Sequence, residues 1–401
     1  MTHPLISFAV AVAVGSVAAV PAHAADAAKS TATSFTAVAA VTPAAVAQHY
    51  AALVHANYED VVTTAKALQT AINAFLAAPS ADTQGVAKKA WLTAREAYGQ
   101  TEAFRFYGGP IDSENGPEGR MNAWPMDESF VDSVKGKSNA GLVNNPKFKI
   151  TAKNLMAQNE RGGEENIATG WHAIEFFLWG QDLNDNGPGQ RSFEDFVDGK
   201  APNADRRRLY LKTAMDLLVS DAESLLRAWA PGVKNNYRAK FEKGGRESVR
   251  KMLLGLGSLS RGELAGERLE VALNSQDQED EHSCFSDNTH RDAVTNAKGI
   301  QNVWLGSYLR VDGRTLSGPS LRDLVAATDA AQADKTTQQI ADSVAATEGI
   351  QAPFDREIMG DKNAPGRQRI QKAIASLTQQ SKDIVAAAGA VGIKKLTLVA
   401  P

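Results

Sequence analysis

A single cysteine, Cys284, is all the thiol chemistry in the chain. An internal disulfide is therefore excluded, and stability has to come from a packed core. Neither sign of charge is in excess: 43 Lys and Arg stand against 46 Asp and Glu, for a formal net charge of -3. That balance, with no nucleic-acid-binding motif, excludes general nucleic-acid binding and leaves no nucleic-acid partner. Sustained apolar/polar alternation is missing too, so strands are not expected. Fragments such as Gly255-Leu256-Gly257 follow no strand and are not phosphate loops. The apolar run at residues 5–20 is short for crossing a bilayer, and Ala22-His23-Ala24 follows it closely. This pattern predicts a signal peptide of residues 1–24, cleaved after Ala24. With no Cys near the cleavage point, lipid modification is not expected. The expectation is export to the periplasm or cell envelope, with no transmembrane span in the mature chain.

What the sequence does contain is helical periodicity. After an Ala-, Thr- and Ser-rich linker at 25–42, expected to be disordered, Val46, Tyr50, Leu53, Val54, Val61, Ala65, Leu68, Ile72, Phe75 and Leu76 recur at three- and four-residue steps. That stripe predicts a helix over 43–78. Helices are likewise predicted over 82–107, 163–179, 205–229, 237–273, 292–306, 320–347 and 366–388. Irregular acidic stretches at 111–146 and 276–289 separate some of them, and long loops of this kind often carry function. The fold class is all-α, with two helical-bundle domains at 43–235 and 236–401. Both halves run a long helix into an acidic loop, as a degenerate duplication would, although no residue-by-residue repeat is found.

The chemistry centres on Gly170-Trp171-His172-Ala173-Ile174-Glu175. On a helix, residues three apart share a face, so His172 and Glu175 converge. A lone His on an apolar face is more often a hydrogen-bonded core residue than a ligand. A carboxylate one turn away shifts the balance, because a buried Glu needs a cation, a proton or strong donors. Further ligands would have to come from other helices. Glu102, on the same helical face as Arg95 and Tyr98, and Asp112 behind Gly108-Gly109-Pro110 are the available carboxylates. One nitrogen with several oxygens suits iron, with zinc or manganese as alternatives, better than copper. In the second acidic stretch, Asp280, Glu281, His282, Cys284, Asp287 and His290 are potential ligands. Cys284 reads as a small buried hydrophobe, and His282 as a contributor at a domain interface. His49 and His55 read as surface or satisfied histidines.

Ala94-Arg95-Glu96-Ala97-Tyr98 with Glu102, followed by Gly170-x-His172-x-x-Glu175-x-x-Leu178-Trp179-Gly180, resembles the imelysin family of proposed metallopeptidases and iron-regulated envelope proteins. Asn122 to Glu128 and Gln278 to Asn288 resemble its iron-regulated branch. The resemblance, from about Pro43 to the C-terminus, implies an all-helical envelope protein with a site around the motif His and Glu. It implies a metal ion as ligand and envelope iron-uptake components as partners. On this basis His172, Glu175, Glu102 and Asp112 are the expected ligands, with Arg95 and Tyr98 orienting the carboxylates. Iron uptake or handling is the expected role. The alternatives are a metallopeptidase with Glu175 as catalytic base, and a ligand-binding or interaction protein without metal. A zinc peptidase of the usual kind needs two His on one helix and a separate Glu. The motif helix has no second His, so the motif supports metal binding more than hydrolysis.

Overall fold

The computed structural model describes residues 41–184 and 186–399. The expected signal peptide and nearly all of the expected linker lie outside the described residues. Eight α-helices of ten residues or more carry the fold: α1 Pro43–Ala77, α2 Ala81–Gly99, α3 Gly170–Trp179, α4 Ala204–Ala228, α5 Arg246–Ser258, α6 Thr289–Leu305, α7 Ala330–Glu348 and α8 Pro365–Ala390. Among the described residues, no helix is long and apolar enough to cross a membrane.

Local chemistry sets the ends. Thr42 caps α1 through the Ala45 amide with Pro43 in the first turn, and Ser80 and Thr83 cap α2 reciprocally. The predicted α1 stripe is buried throughout except for Leu76, which is half-buried. Helix α3 begins at Gly170, seven residues later than the sequence predicts. The chain before it is held irregular by Asn159, whose side-chain oxygen accepts from the amides of Ala168 at 2.9 Å and Thr169 at 3.3 Å. Gly170 has φ +88°, and a Cβ there would run into the Met121 carbonyl.

Two further departures have physical causes. A two-stranded antiparallel hairpin pairs β1 Ser307–Leu309 with β2 Thr315–Ser317, whereas no strand was expected. Three-residue strands are too short to establish an alternating pattern. The helical stretch predicted over 237–273 consists of a short helix at Tyr237–Lys243, then α5, a π-helical run at Leu259–Glu270 that periodicity did not distinguish, and a last turn at Val271–Ser275. The widened turns at Leu259–Glu270 carry Glu263 and Arg268, which both reach the site described below.

In the first half α1 packs on α2 and α4, with α3 set against α2 and α4; in the second, α8 packs on α7 and α5, and α6 on α7. The halves share one contiguous core, because α6 also packs on α2 and on the tight 3-10 turn Gln100–Phe104, and α1 on α5. The described residues accordingly form one compact unit, which does not divide at 235/236. The Tyr237–Lys243 helix, placed in the second domain by sequence, packs on α1, with Phe241 stacked on Tyr50 at 5.1 Å. Two glycines permit the central crossing. A Cβ at Gly99 would overlap the Thr295 hydroxyl, and one at Gly299 would overlap the Gln100 carbonyl.

Gly299→Ala should therefore cost about 1–3 kcal/mol as an overpacked contact. Gly85→Ala, in α2 with open space around its Cβ position, should gain about 0.5–1 kcal/mol from helix propensity. Urea unfolding of both variants checks the pair, and equal effects would show that the crossing is not tightly packed.

Candidate metal centre

All ten residues of α3 are buried. His172 and Glu175 therefore meet in a dry interior, with His172 Nδ1 2.9 Å from Glu175 Oε2. The other carboxylate oxygen, Oε1, accepts from the Ser286 amide at 2.9 Å and its hydroxyl at 2.7 Å. With Nδ1 engaged, His172 has one free ring nitrogen. Among the described residues its Nε2 has no hydrogen-bond partner, and His172 is only 2% exposed.

A second imidazole stands opposite. The His282 ring centre is 4.9 Å from that of His172 at 66°. His282 is built to the same plan, with Nδ1 2.9 Å from Asp292 Oδ2. Asp292 also takes the Ser283 hydroxyl on Oδ2 and, on Oδ1, Arg95 Nη2 at 2.9 Å. Arg95 Nη1 donates to Asn122 Oδ1 at 2.7 Å, which turns the Asn122 amide nitrogen toward His282 Nε2 and Glu102 Oε1, each at 3.4 Å. Arg95 Nη2 and Asn122 Nδ2 stand 3.4 Å from Nδ1 and Nε2 respectively, but the closer Asp292 carboxylate, an acceptor only, favours the His282 proton on Nδ1. Glu102 Oε2 receives Arg105 Nη1 and Arg268 Nη2, both at 2.6 Å. Trp124 meets His282 edge-on at 4.8 Å and lies beneath the Arg268 guanidinium.

Electrostatics follow from burial. Desolvation, with Arg95 nearby, lowers His172 to about 3; desolvation and Arg268 lower His282 to about 3. Both rings are neutral at physiological pH, as a ligating imidazole must be. Burial pushes Glu175 up to about 8, outweighing the Ser286 bonds, so the His172–Glu175 pair shares a proton at neutral pH. Burial would also raise Glu102, but Arg105 and Arg268 overcome it and hold it at about 2. Against the burial that would raise it, Arg95 and His282 hold Asp292 far below the usual carboxylate range.

The expected site residues are only partly brought together. His172, Glu175 and Glu102 belong to one buried network, whereas Asp112 serves the loop: its carboxylate accepts from the Phe106 and Gly109 amides. Arg95 pairs with Asp292 and Asn122 rather than with Glu102. Tyr98 packs its ring 5.2 Å from Trp171, and its hydroxyl has no hydrogen-bond partner among the described residues. His172, Glu175, Glu102 and Asp112 do not bring three ligand atoms within 4.8 Å of one another; among the described residues only Asp182, Asp287 and Asp355 do. Cys284 is buried in the core, with its thiol pKa pushed up by desolvation.

Sequence reasoning missed Asp292, Asn122, Ser286, Arg105 and Arg268. Asp292 had a local signal, as an acidic residue in the first turn of α6 ten positions after His282, and so did Arg105, three residues after Glu102. Asn122, Ser286 and Arg268 reach the site from segments whose proximity no spacing encodes.

Fold and site define an all-α protein with a buried, carboxylate-braced pair of imidazoles at its centre. The sequence pattern of the imelysin family matches residues 54–384, and the chain belongs to that family. It is similar to iron-regulated protein A of Synechococcus elongatus, with 27% identity over 331 residues covering 80% of each chain. Among solved structures, it resembles one described as an iron-regulated protein A precursor from Parabacteroides distasonis, with a TM-score of 0.68 and 18% identity, over 87% of this chain and 95% of that one. An imelysin-like protein from Psychrobacter arcticum matches with a TM-score of 0.60 and 14% identity, over 87% and 96%. These two likenesses concern the fold.

The shifts predict a pH profile with opposite arms. For His172 and His282 the folded pKa is depressed below the ordinary 6.5, so their contribution is present above 6.5 and is lost as pH falls from there toward about 3. For Glu175 the folded pKa is raised, so its contribution is present at acid pH and is lost as pH rises from 4.5 through about 8. Denaturant midpoints between pH 4 and 9 should show His282→Gln flattening the acid arm and Glu175→Gln the alkaline arm. Unchanged slopes in both variants would refute these assignments.

Proposed function

We propose that the chain binds one transition-metal ion, iron in the first instance, between His172 and His282, and that it serves iron uptake or handling in the cell envelope. The observation that carries this reading is the buried Nε2 of His172, without a hydrogen-bond partner among the described residues, in a ring 4.9 Å from a second neutral imidazole. Glu175 and Asp292 each hold the far nitrogen of one ring, the arrangement by which carboxylates orient imidazole ligands and raise their basicity. The geometry supports Glu175 as such a positioning group rather than as a direct ligand. Glu102, kept ionised by Arg105 and Arg268 and linked to His282 through Asn122, is the third candidate ligand. Asn122 stands between Glu102 and His282 and would have to yield its contacts to both. Imidazole with carboxylate suits iron, with manganese and zinc as competitors.

The name of the Synechococcus relative supports the iron reading, and the Ala-x-Ala pattern at residues 22–24 supports export. Hydrolysis is less well supported, because both Glu175 oxygens are engaged and the group is protonated at neutral pH, the wrong state for a general base.

Anaerobic titration of the purified chain with ferrous iron, and with zinc as a redox-inert probe, tests the proposal. One equivalent should bind. His172→Ala and His282→Ala should each abolish binding, and Glu175→Gln should weaken it by about 10–100-fold. The bound metal should displace the shared proton, releasing about one proton at pH 7, so affinity should climb with pH and level off above about 8. Undiminished binding by His172→Ala would overturn the proposal.

A further inference from the structure

Residues 276–289 face two ways. His282 and Ser286 turn toward α3, whereas Glu281 and Asp287 turn toward two other acidic side chains. Asp182 follows α3, and Asp355 lies beyond α7. One oxygen from each of Asp182, Asp287 and Asp355 falls within 4.8 Å of the other two, and all three residues are buried. Glu281, 1% exposed, is directed at Asp355 and also faces Asp287 and Asp182. Both Glu281 oxygens and both Asp287 oxygens are buried, and among the described residues no hydrogen-bond donor reaches them.

Buried carboxylates are normally paired or ligate metals, because desolvating the ion costs several kcal/mol. Glu281 and Asp287 meet further carboxylates instead of cations. The buried Glu281 and Asp287 oxygens thus offer ligand atoms beside the Asp182 and Asp355 carboxylates.

We propose that Asp182, Glu281, Asp287 and Asp355 form a second cation site, distinct from the imidazole centre and selective for a hard divalent ion, calcium above all. Oxygen ligands about 2.3–2.6 Å from Ca²⁺ lie at most about 5 Å apart across the ion, a span that contains the 4.8 Å grouping. With no nitrogen or sulfur among them, the donors do not favour the metals drawn to His172 and His282. The site is reachable from both sides. Asp287 lines a cleft of about 610 Å³ with Ser286, Asn288 and Pro353, and Asp355 lines another of about 680 Å³ with Gln276 and Glu279. An ion held there ties the end of α3, residues 281–287 and the Asp355 segment together. It thus fixes the loop that presents His282 and Ser286, although the inference does not depend on iron binding.

Equilibrium dialysis of the whole chain against calcium tests it. One ion should bind, with an affinity no weaker than the ~0.1–1 mM of extracellular calcium modules. His172→Ala should bind calcium as the parent does, which separates this site from the imidazole centre. Glu281→Gln and Asp287→Asn should weaken calcium binding by about tenfold or more. Because Glu281→Gln takes one acidic group out of a crowded cluster, its melting temperature without calcium should equal or exceed the parent's, and calcium should raise the parent's melting temperature alone. No binding by the parent at 10 mM calcium (roughly ten times the weak end of that range), or an equal rise in parent and variant, would overturn the proposal.

Discussion

The structure depends on bringing charged and polar groups from two distant parts of the chain into one dry centre and leaving almost none of them unpartnered. Glu175 is the clearest case. It lies on a fully buried helix, yet its Oε1 is satisfied by Ser286, 111 residues away. Arg95 makes the matching bond in the other direction, donating from α2 to Asp292 on α6. Breaking one partner of such a pair costs several kcal/mol, because the remaining charge stays buried. The two halves therefore cannot separate without exposing or orphaning these groups. This accounts physically for a single compact unit where sequence periodicity suggested two bundles.

The same arrangement explains why the centre is suited to binding an ion rather than merely to holding the fold. Structural buried networks end with their hydrogen-bonding capacity used up. Here Arg105 and Arg268 satisfy the Glu102 carboxylate and Arg95 binds Asp292 and Asn122, whereas His172 Nε2 in the middle has no hydrogen-bond partner among the described residues. Both rings are kept neutral by desolvation and kept in place by carboxylates. Such a site has met its orientation cost before any ligand arrives.

Much of the fold was legible because amphipathic helices advertise themselves: the α1 stripe, the ends of α4 and α8, and the Gly-Pro punctuation each follow from local rules. The π-helical run at Leu259–Glu270, the hairpin and the close crossing at Gly99 and Gly299 were not legible, since each is decided by packing partners far along the chain. The site divides in the same way. His172 and Glu175 could be paired from their three-residue spacing, and Glu102 was placed by its apolar neighbours. Asp112 looked equivalent to Glu102 on composition, yet the nearby Phe106 and Gly109 amides captured it, a purely local competition of the kind Asp enters readily. His282 had seemed marginal because its carboxylate, Asp292, belongs to the next helix.

The central claim is that His172 and His282 share one metal ion. X-ray absorption fine structure of the iron-loaded chain measures this most directly, because imidazole rings leave a distinctive outer-shell scattering pattern. The account predicts two imidazoles on the iron in the parent and one or none in His282→Ala. An oxygen-only shell in the parent, or the same imidazole scattering in both proteins, would contradict it.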